Sequence, residues 1–148
     1  MQKIIFVCHG NICRSPVGAI LFNKYIKEMG LDNKYVAISR ATSREEIGND
    51  IYPPMKRVLN SHGVKYDRHY ATQMTREELV EASHIFYMDK HNLYYLERMF
   101  GITEKFELIS KYYDNEDTED PWYTDRFEFV FDRINKSVKA IVDYLQSK

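Results

Sequence analysis

The amino-acid sequence predicts an α/β fold, a doubly wound four-stranded parallel sheet with helices on both faces. The first observation is the continuous apolar, β-branched run Ile4 to Val7, which is typical of a central strand covered on both sides. The second is that runs of this kind alternate along the chain with segments of helical periodicity. The third is the length of 148 residues, with 44% hydrophobic and 29% charged residues. Together they predict a single domain over residues 1–148.

Each element is assigned from local signals. The first strand ends at Cys8, and Ser15 followed by Pro16 predicts a helix with serine as N-cap and proline at its first position, ending near Gly30. Thr75 and Glu78 form the pattern of a capping box, which predicts the start of a later helix. The remaining predicted elements are strands at Tyr35–Ser39, His84–Met88 and Phe106–Leu108, helices at Pro53–Gly63, Thr75–Ala82 and Asp89–Gly101, and a closing helix at Phe127–Leu145.

Composition limits the function. The net charge of −1 argues against a protein that holds nucleic acid by its total charge. No stretch approaches the roughly 20 apolar residues that a membrane span needs. Cys8 and Cys13 are too few for a disulfide scaffold, and a reducing compartment keeps them as thiols. We therefore expect a cytoplasmic protein that binds neither nucleic acid nor membrane.

The loop between the first strand and first helix carries a chemical pattern, a cysteine followed by five residues, arginine and serine. Gly10 and Asn11 tolerate positive φ, so the loop can curl until its N–H groups point inward and bind an anion. The following helix adds the positive end of its dipole. Arg14 can present a planar fork to phosphate oxygens, and the same positive field favours a reactive thiolate at Cys8. These features predict a phosphate-binding loop.

Two alternatives for this loop stay open at this point. Cys8 could be a buried structural cysteine and Arg14 a surface ion-pair partner, since a bare pattern of this length arises by chance. Cys8, His9 and Cys13 could also begin a zinc site, although the chain has no second Cys/His cluster to complete it. The strand before the loop and the helix after it favour phosphate binding.

The sequence resembles the low-molecular-weight protein tyrosine phosphatases. The resemblance lies in five segments that run through most of the chain: Val7–Pro16 (VCHGNICRSP), Ser39–Asn49 (SRATSREEIGN), His69–Thr75 (HYATQMT), Met88–Leu93 (MDKHNL) and Asp120–Tyr123 (DPWY).

The resemblance implies a role for individual residues. Cys8 would attack phosphorus, Arg14 would hold the phosphoryl oxygens, and Asp120 would be the general acid, with no metal or cofactor. The side chains that would hold the loop in shape are those of Asn11, Ser39 and His69, and Ser15 would stabilise the Cys8 thiolate. The predicted substrate-binding residues are His9, Gly10, Asn11, Ile12, Cys13, Ser15, Trp122 and Tyr123.

Composition alone does not identify the acid, because Asp120 lies in an acidic stretch from Asp114 to Asp125. Pro121 favours Asp120, since it stiffens the adjacent backbone. Trp122 and Tyr123 can then form a slot for a flat ring and shield the carboxyl from water. The alternative for these two aromatic residues is a core pair, and Asp89 could be a helix cap or a partner of the site.

Three residues depart from the family's pattern. His9 and Glu45 stand where members often carry apolar or aromatic residues at the pocket rim, and Thr72 replaces a common arginine. Glu45 should repel acidic residues that flank a phosphotyrosine.

The predicted partners are phosphotyrosine-containing proteins, and phosphate or another oxyanion in the site. Two other functions remain. A thiol-linked arsenate reductase shares the loop but needs cysteines beyond Cys8 and Cys13, and a non-catalytic phosphotyrosine-binding module would not need Asp120.

Overall fold

The computed structural model describes residues 1–148 and has a four-stranded, entirely parallel sheet in the order β2-β1-β3-β4. The strands are β1 (Gln2–Cys8), β2 (Tyr35–Ala41), β3 (His84–Tyr87) and β4 (Phe106–Leu108). The helices are α1 (Arg14–Glu28), α2 (Pro53–Ser61), α3 (Arg76–Glu81), α4 (Lys90–Phe100), α5 (Pro121–Thr124) and α6 (Phe127–Gln146). The predicted α/β fold is confirmed.

Helices cover both faces of the sheet. The side chains of β1 therefore alternate between two cores. Ile4 and Phe6 enter the larger core, which they share with α1, α2 and α6, whereas Ile5 and Val7 enter the smaller one on the side of α3 and α4. All four side chains are fully buried. A strand buried on both faces reads as an uninterrupted apolar run, which is why the sequence identified β1.

Helix α1 lies unusually close to β1. A Cβ atom at Gly18 would lie 2.8 Å from Cδ1 of Phe6, a distance that real Cβ contacts do not show. Glycine is therefore required at this position for the helix to pack directly beneath the strand. The close packing fixes where the loop that joins the two elements can lie.

The outer edge of β2 is capped by a side chain from α1. Asn23 donates from Nδ2 to the carbonyl of Ala37 and accepts from the Ala37 N–H at Oδ1, both at 2.9 Å. Farther along the same edge, Ala41 exchanges backbone hydrogen bonds with Thr72 and Met74. Backbone groups of this edge strand thus have partners within the chain.

Several predicted boundaries need correction. Helix α1 begins at Arg14, so Ser15 lies inside the first turn, and Cys13 occupies the N-cap position without a side-chain hydrogen bond. The Ser15 hydroxyl faces the sulfur of Cys8 instead of capping the helix. The sequence also gave no sign of α5, a single turn that begins at Pro121. None of the helices is both long and apolar enough to cross a lipid bilayer.

Candidate active site

The loop from Cys8 to Arg14 is held in shape chiefly by Asn11, which has a φ of 61° and is fully buried. Its side chain donates to Ser15 Oγ at 2.8 Å and accepts from the Thr72 N–H at 3.0 Å. Its carbonyl accepts from Nε2 of His69 at 2.6 Å. Burial lowers the pKa of His69 and so keeps the imidazole neutral. The loop is therefore supported from the segment between α2 and α3.

Two predicted features of the loop differ from expectation, one at Ser39 and one at Gly10. The Ser39 hydroxyl makes no hydrogen bond to the loop, and the Arg40 carbonyl, one residue later, accepts from Ser15 Oγ at 3.3 Å instead. The expectation for Ser39 was wrong. Successive residues of a strand point in alternating directions, and here it is the carbonyl of Arg40 that faces the loop. Gly10 has no positive φ. A Cβ there would lie 3.3 Å from Cγ of Glu46, so glycine is favoured by crowding.

Cys8 stands at the carboxyl end of β1 and is buried, with 3% of its surface exposed. Its sulfur lies 3.0 Å from Ser15 Oγ and accepts from the Ser15 N–H at 3.4 Å. Asn11 donates to the same hydroxyl, so the single Ser15 proton can go either to the sulfur at 3.0 Å or to the Arg40 carbonyl at 3.3 Å. The hydroxyl and the backbone N–H of Ser15 thus both lie within hydrogen-bonding distance of the Cys8 sulfur.

Arg14 is 2% exposed and connects three segments of the chain. Its Nη1 donates to Asp89 at 2.6 Å and to the Thr118 carbonyl at 2.9 Å, and its Nη2 lies 3.5 Å from Asp120. Burial disfavours the charge of Arg14, but Cys8 and the two carboxylates outweigh it, so the pKa of the guanidinium is raised. Asp89 also accepts from the Asn92 N–H as the cap of α4, so it is both cap and partner of the site.

The structure separates Asp120 from the other acidic residues of its stretch. Arg133 binds Asp114 at 2.7 Å, and Arg126 binds Glu119 at 2.6 Å. Asp120 turns the other way and lines a cavity with Cys8. The other acidic residues of the stretch do not line this cavity: Asp114, Glu116, Asp117, Glu119 and Asp125.

The cavity has a volume of about 210 Å³ and brings together the side chains that the sequence singled out. It is lined by Cys8, His9, Gly10, Ile12, Cys13, Arg14, Glu45, Glu46, Asp120, Trp122 and Tyr123. Trp122 packs on Tyr52 with ring centroids 4.9 Å apart, yet 55% of its surface is exposed, so the alternative of a core pair is wrong. Asn11 and Ser15 lie behind the loop and contact Cys8 or its supports.

Sequence reasoning missed Glu46 on the cavity wall and Thr118 beside Arg14. Glu46 follows Glu45 in an exposed loop, and its neighbour was the only signal available. Thr118 acts through its backbone carbonyl, which carries no mark in a sequence. The structure brings no group of three His, Cys, Asp or Glu side chains into an arrangement that could hold a metal ion.

Comparison with known proteins decides the family. The family model described as low molecular weight phosphotyrosine protein phosphatase matches residues 3–148. The chain belongs to this family.

Relatives of this chain align over nearly its whole length. The low molecular weight phosphotyrosine protein phosphatase of Gallus gallus is 33% identical over 97% of this chain and 95% of its own length. The crystal structure of YfkJ from Bacillus subtilis superposes with a TM-score of 0.94 at 30% identity, covering 99% of this chain and 96% of YfkJ. Wzb of Vibrio vulnificus, solved in complex with benzylphosphonate, has a TM-score of 0.85 at 25% identity and covers 97% of this chain and 98% of Wzb.

The rim of the cavity in this low-molecular-weight phosphatase includes a contact between His9 and Glu45. His9 Nε2 lies 3.1 Å from Glu45 across the cavity mouth, and the His9 ring is 6.1 Å from that of Tyr95. The two departures noted in the sequence therefore contact each other. Thr72, the third departure, contributes its backbone N–H to Asn11 and not its side chain.

Cys13 lies on the same cavity and is a free thiol, 6% exposed. Burial, followed by the charges of Cys8 and Asp120, raises the pKa of this thiol above its ordinary range. A raised pKa favours the neutral thiol, which is the less nucleophilic form of cysteine.

Proposed function

We propose that this chain hydrolyses phosphotyrosine in proteins, with Cys8 as nucleophile, Arg14 as phosphate ligand and Asp120 as general acid. The observation that supports this most directly is that Asp120, far along the chain, lines one small cavity with Cys8 and Arg14 of the loop. Family membership over residues 3–148 supports the same reaction.

The phosphate would lie in the curl of the loop. The N-terminus of α1, which begins at Arg14, offers unpaired N–H groups and the positive end of a 15-residue helix. The Arg14 guanidinium, already fixed by Asp89 and Thr118, would donate to two phosphoryl oxygens without having to be ordered first. Preorganised donors of this kind supply most of the stabilisation in phosphoryl transfer.

The reaction would proceed in two displacements. The Cys8 thiolate forms an S–P bond while the bond from phosphorus to the tyrosyl oxygen breaks, and Asp120 gives its proton to that oxygen. Asp120, now a carboxylate, then takes a proton from a water molecule whose oxygen attacks phosphorus. The S–P bond breaks, and inorganic phosphate and the thiolate are released.

The phenyl ring of the substrate would lie between Trp122 and Tyr123 on one side and the His9–Glu45 rim on the other. Benzylphosphonate, the ligand of Wzb named above, has a ring joined to a phosphonate and so resembles the phosphotyrosine side chain. The two aromatic residues favour a flat ring, and a phosphoserine lacks the length to carry its phosphate past them.

We further propose that residues 1–148 act as a single domain in the cytoplasm. Both cores are built on one sheet, and the two free cysteines fit a reducing compartment.

Trapping of the intermediate tests the proposal. Acid quenching during turnover of a phosphotyrosine peptide, followed by peptide mass spectrometry, should place a phosphoryl group on Cys8. The Cys13→Ser protein is the matched control and should give the same phosphopeptide. Two results would contradict the mechanism. One is a phosphoryl group on any other residue. The other is turnover that forms no phosphoenzyme and continues after Cys8 has been alkylated.

A further inference from the structure

The segment 119–126 carries both Asp120 and the aromatic wall of the cavity, and its two ends are joined by one ion pair. Arg126 donates from Nε to Glu119 Oε2 at 3.0 Å and from Nη2 to Oε1 at 2.6 Å. This is the two-bond, fork-to-fork geometry that gives an arginine–carboxylate pair directional specificity. We call it the Glu119–Arg126 clip.

The clip would determine which way Asp120 faces. The backbone of Asp120 is extended, with φ −83° and ψ 112°. Successive side chains of an extended backbone point to opposite sides. Because Glu119 is bound to Arg126 outside the cavity, Asp120 is directed inward, where its carboxylate lies 3.5 Å from Arg14. Loss of the clip would free the backbone to rotate.

The rest of the segment is closed by short local bonds. Asp120 Oδ1 accepts from the Trp122 N–H at 3.0 Å, and the Arg126 N–H donates to Thr124 Oγ1 at 3.3 Å. Asp125 ends α5 in a left-handed conformation with φ 62°. The segment is thus a compact turn whose attachment to α6 runs through Arg126.

Arg126 is itself fixed, although it is exposed. Its guanidinium carbon lies 3.9 Å from the centroid of the Phe129 ring on the first turn of α6. On the other side of Asp120, the Thr118 N–H donates to the Met88 carbonyl at 2.8 Å. Asp120 therefore lies between two attachments, one to Met88 just after β3 and one at the start of α6.

We propose that Glu119 and Arg126 are positioning residues for the general acid, acting through Asp120 and touching neither substrate nor phosphate. This inference rests on the proposed role of Asp120. An exposed ion pair contributes little to stability. A displacement of a catalytic group by about 1 Å, by contrast, can lower a rate by up to ~100-fold. The clip should therefore matter more for catalysis than for folding.

The test uses Glu119→Gln and Arg126→Met and two substrates that differ in their need for a proton. For a phosphotyrosine peptide, whose leaving group must be protonated, each substitution should lower kcat/KM on the order of tenfold. For 2,4-dinitrophenyl phosphate, whose leaving group departs as an anion, kcat/KM should change less than about twofold. Thermal midpoints should fall by no more than about 2–4 °C.

A double substitution distinguishes positioning from a general structural effect. In the Asp120→Ala background, Glu119→Gln should cause no further loss with the peptide, because the clip acts through Asp120. Glu28→Gln, which breaks the remote exposed pair with Lys24, is the control and should leave both substrates unaffected. If either clip variant is poorly folded, Arg126→Lys, which keeps the charge, replaces it.

The outcomes are distinct. Equal losses with both substrates, no loss with the peptide, or an additive loss in the Asp120→Ala background would each overturn the inference. If Asp120→Ala itself shows no dependence on the leaving group, the proposed function is at fault in its choice of acid.

Discussion

Nη2 of Arg14 lies 3.5 Å from Oδ2 of Asp120, so the proposed phosphate ligand and the proposed acid are in contact before substrate arrives. A phosphate in the loop would compete with Asp120 for the guanidinium. As the anion takes over Arg14, the carboxyl is released toward the oxygen that needs a proton. Binding of substrate would thus position the Asp120 carboxyl to donate its proton.

Replacement of Asp120 by alanine should lower kcat/KM for a phosphotyrosine peptide by roughly 10²–10⁴, the usual contribution of a positioned acid. The loss should be much smaller with p-nitrophenyl phosphate, whose leaving group is more acidic. Steady-state kinetics on both substrates measures the difference. Asp117→Ala is the matched control, because Asp117 lies in the same stretch but does not line the cavity. If Asp117→Ala shows the selective loss instead, Asp120 is not the acid.

Replacement of Cys8 by serine should abolish turnover while leaving oxyanion binding largely intact. The loop N–H groups and Arg14 remain, and only the nucleophile is lost. Phosphate or vanadate should still raise the thermal midpoint, by an amount set by ligand concentration and affinity. Thermal unfolding with and without the anion, beside a turnover assay, decides this, and wild-type turnover in the serine variant would exclude Cys8.

Mild peroxide should inactivate the protein reversibly, because a sulfenic acid at Cys8 can condense with the thiol of Cys13, releasing water and forming a disulfide. Phosphate should protect. Cys13→Ser should keep its activity but become irreversibly inactivated by peroxide. Activity after reductant and mass spectrometry of the crosslink are the measurements. If the serine variant recovers as fully as wild type, and wild type shows no crosslink, Cys13 serves packing alone.

Replacement of Glu45 by glutamine should raise kcat/KM several-fold for phosphotyrosine peptides flanked by glutamate, since the rim loses a charge that repels them. Peptides flanked by alanine should change little. Raising the ionic strength should shrink the effect, because Glu45 is exposed. Glu81→Gln, remote and exposed, supplies the comparison. A gain of the same size for alanine-flanked peptides would show that charge at the rim does not select substrate.

Replacement of Asn11 should destabilise the fold through the loop. Asn11→Gly should cost about 1–3 kcal/mol, since it removes the part-buried hydrogen bond from the Thr72 N–H and the buried one to Ser15 Oγ. Asn11→Ala should cost about 1–2 kcal/mol more than its own lost hydrogen bonds, because alanine disfavours the left-handed conformation at φ 61°. Urea unfolding of both variants provides the comparison. Equal stabilities would mean that the loop relaxes away from this backbone conformation.

Local signals predicted the elements with little error where one residue type has one structural use. The capping box at Thr75 and Glu78 is present with both of its hydrogen bonds, and β4 has the predicted bounds. Ser15 was misplaced because a hydroxyl next to proline looks like a cap, while here it serves the sulfur of Cys8. Periodicity cannot detect such a contact.

Most residues that line the cavity could be predicted from the sequence, but their contacts could not. The sequence could not choose among the acidic residues from composition, because the choice depends on which carboxylates the arginines bind. Arg133 on α6 binds Asp114, and Arg126 binds Glu119. The first pair joins the acidic stretch to α6, and the second closes the turn 119–126. The contact of His9 with Glu45 is of the same kind.

The amide of Asn23 has a consequence for the protein in a crowded solution. A sheet whose outermost strand exposes free N–H and C=O groups can recruit a strand from another molecule and grow. The Asn23 side chain binds both backbone groups of Ala37. It takes the place of a neighbouring strand, but no further strand can pair with it. Helix α1 begins where the phosphate-binding loop ends. Two turns later, its Asn23 therefore protects the chain from aggregating edge to edge.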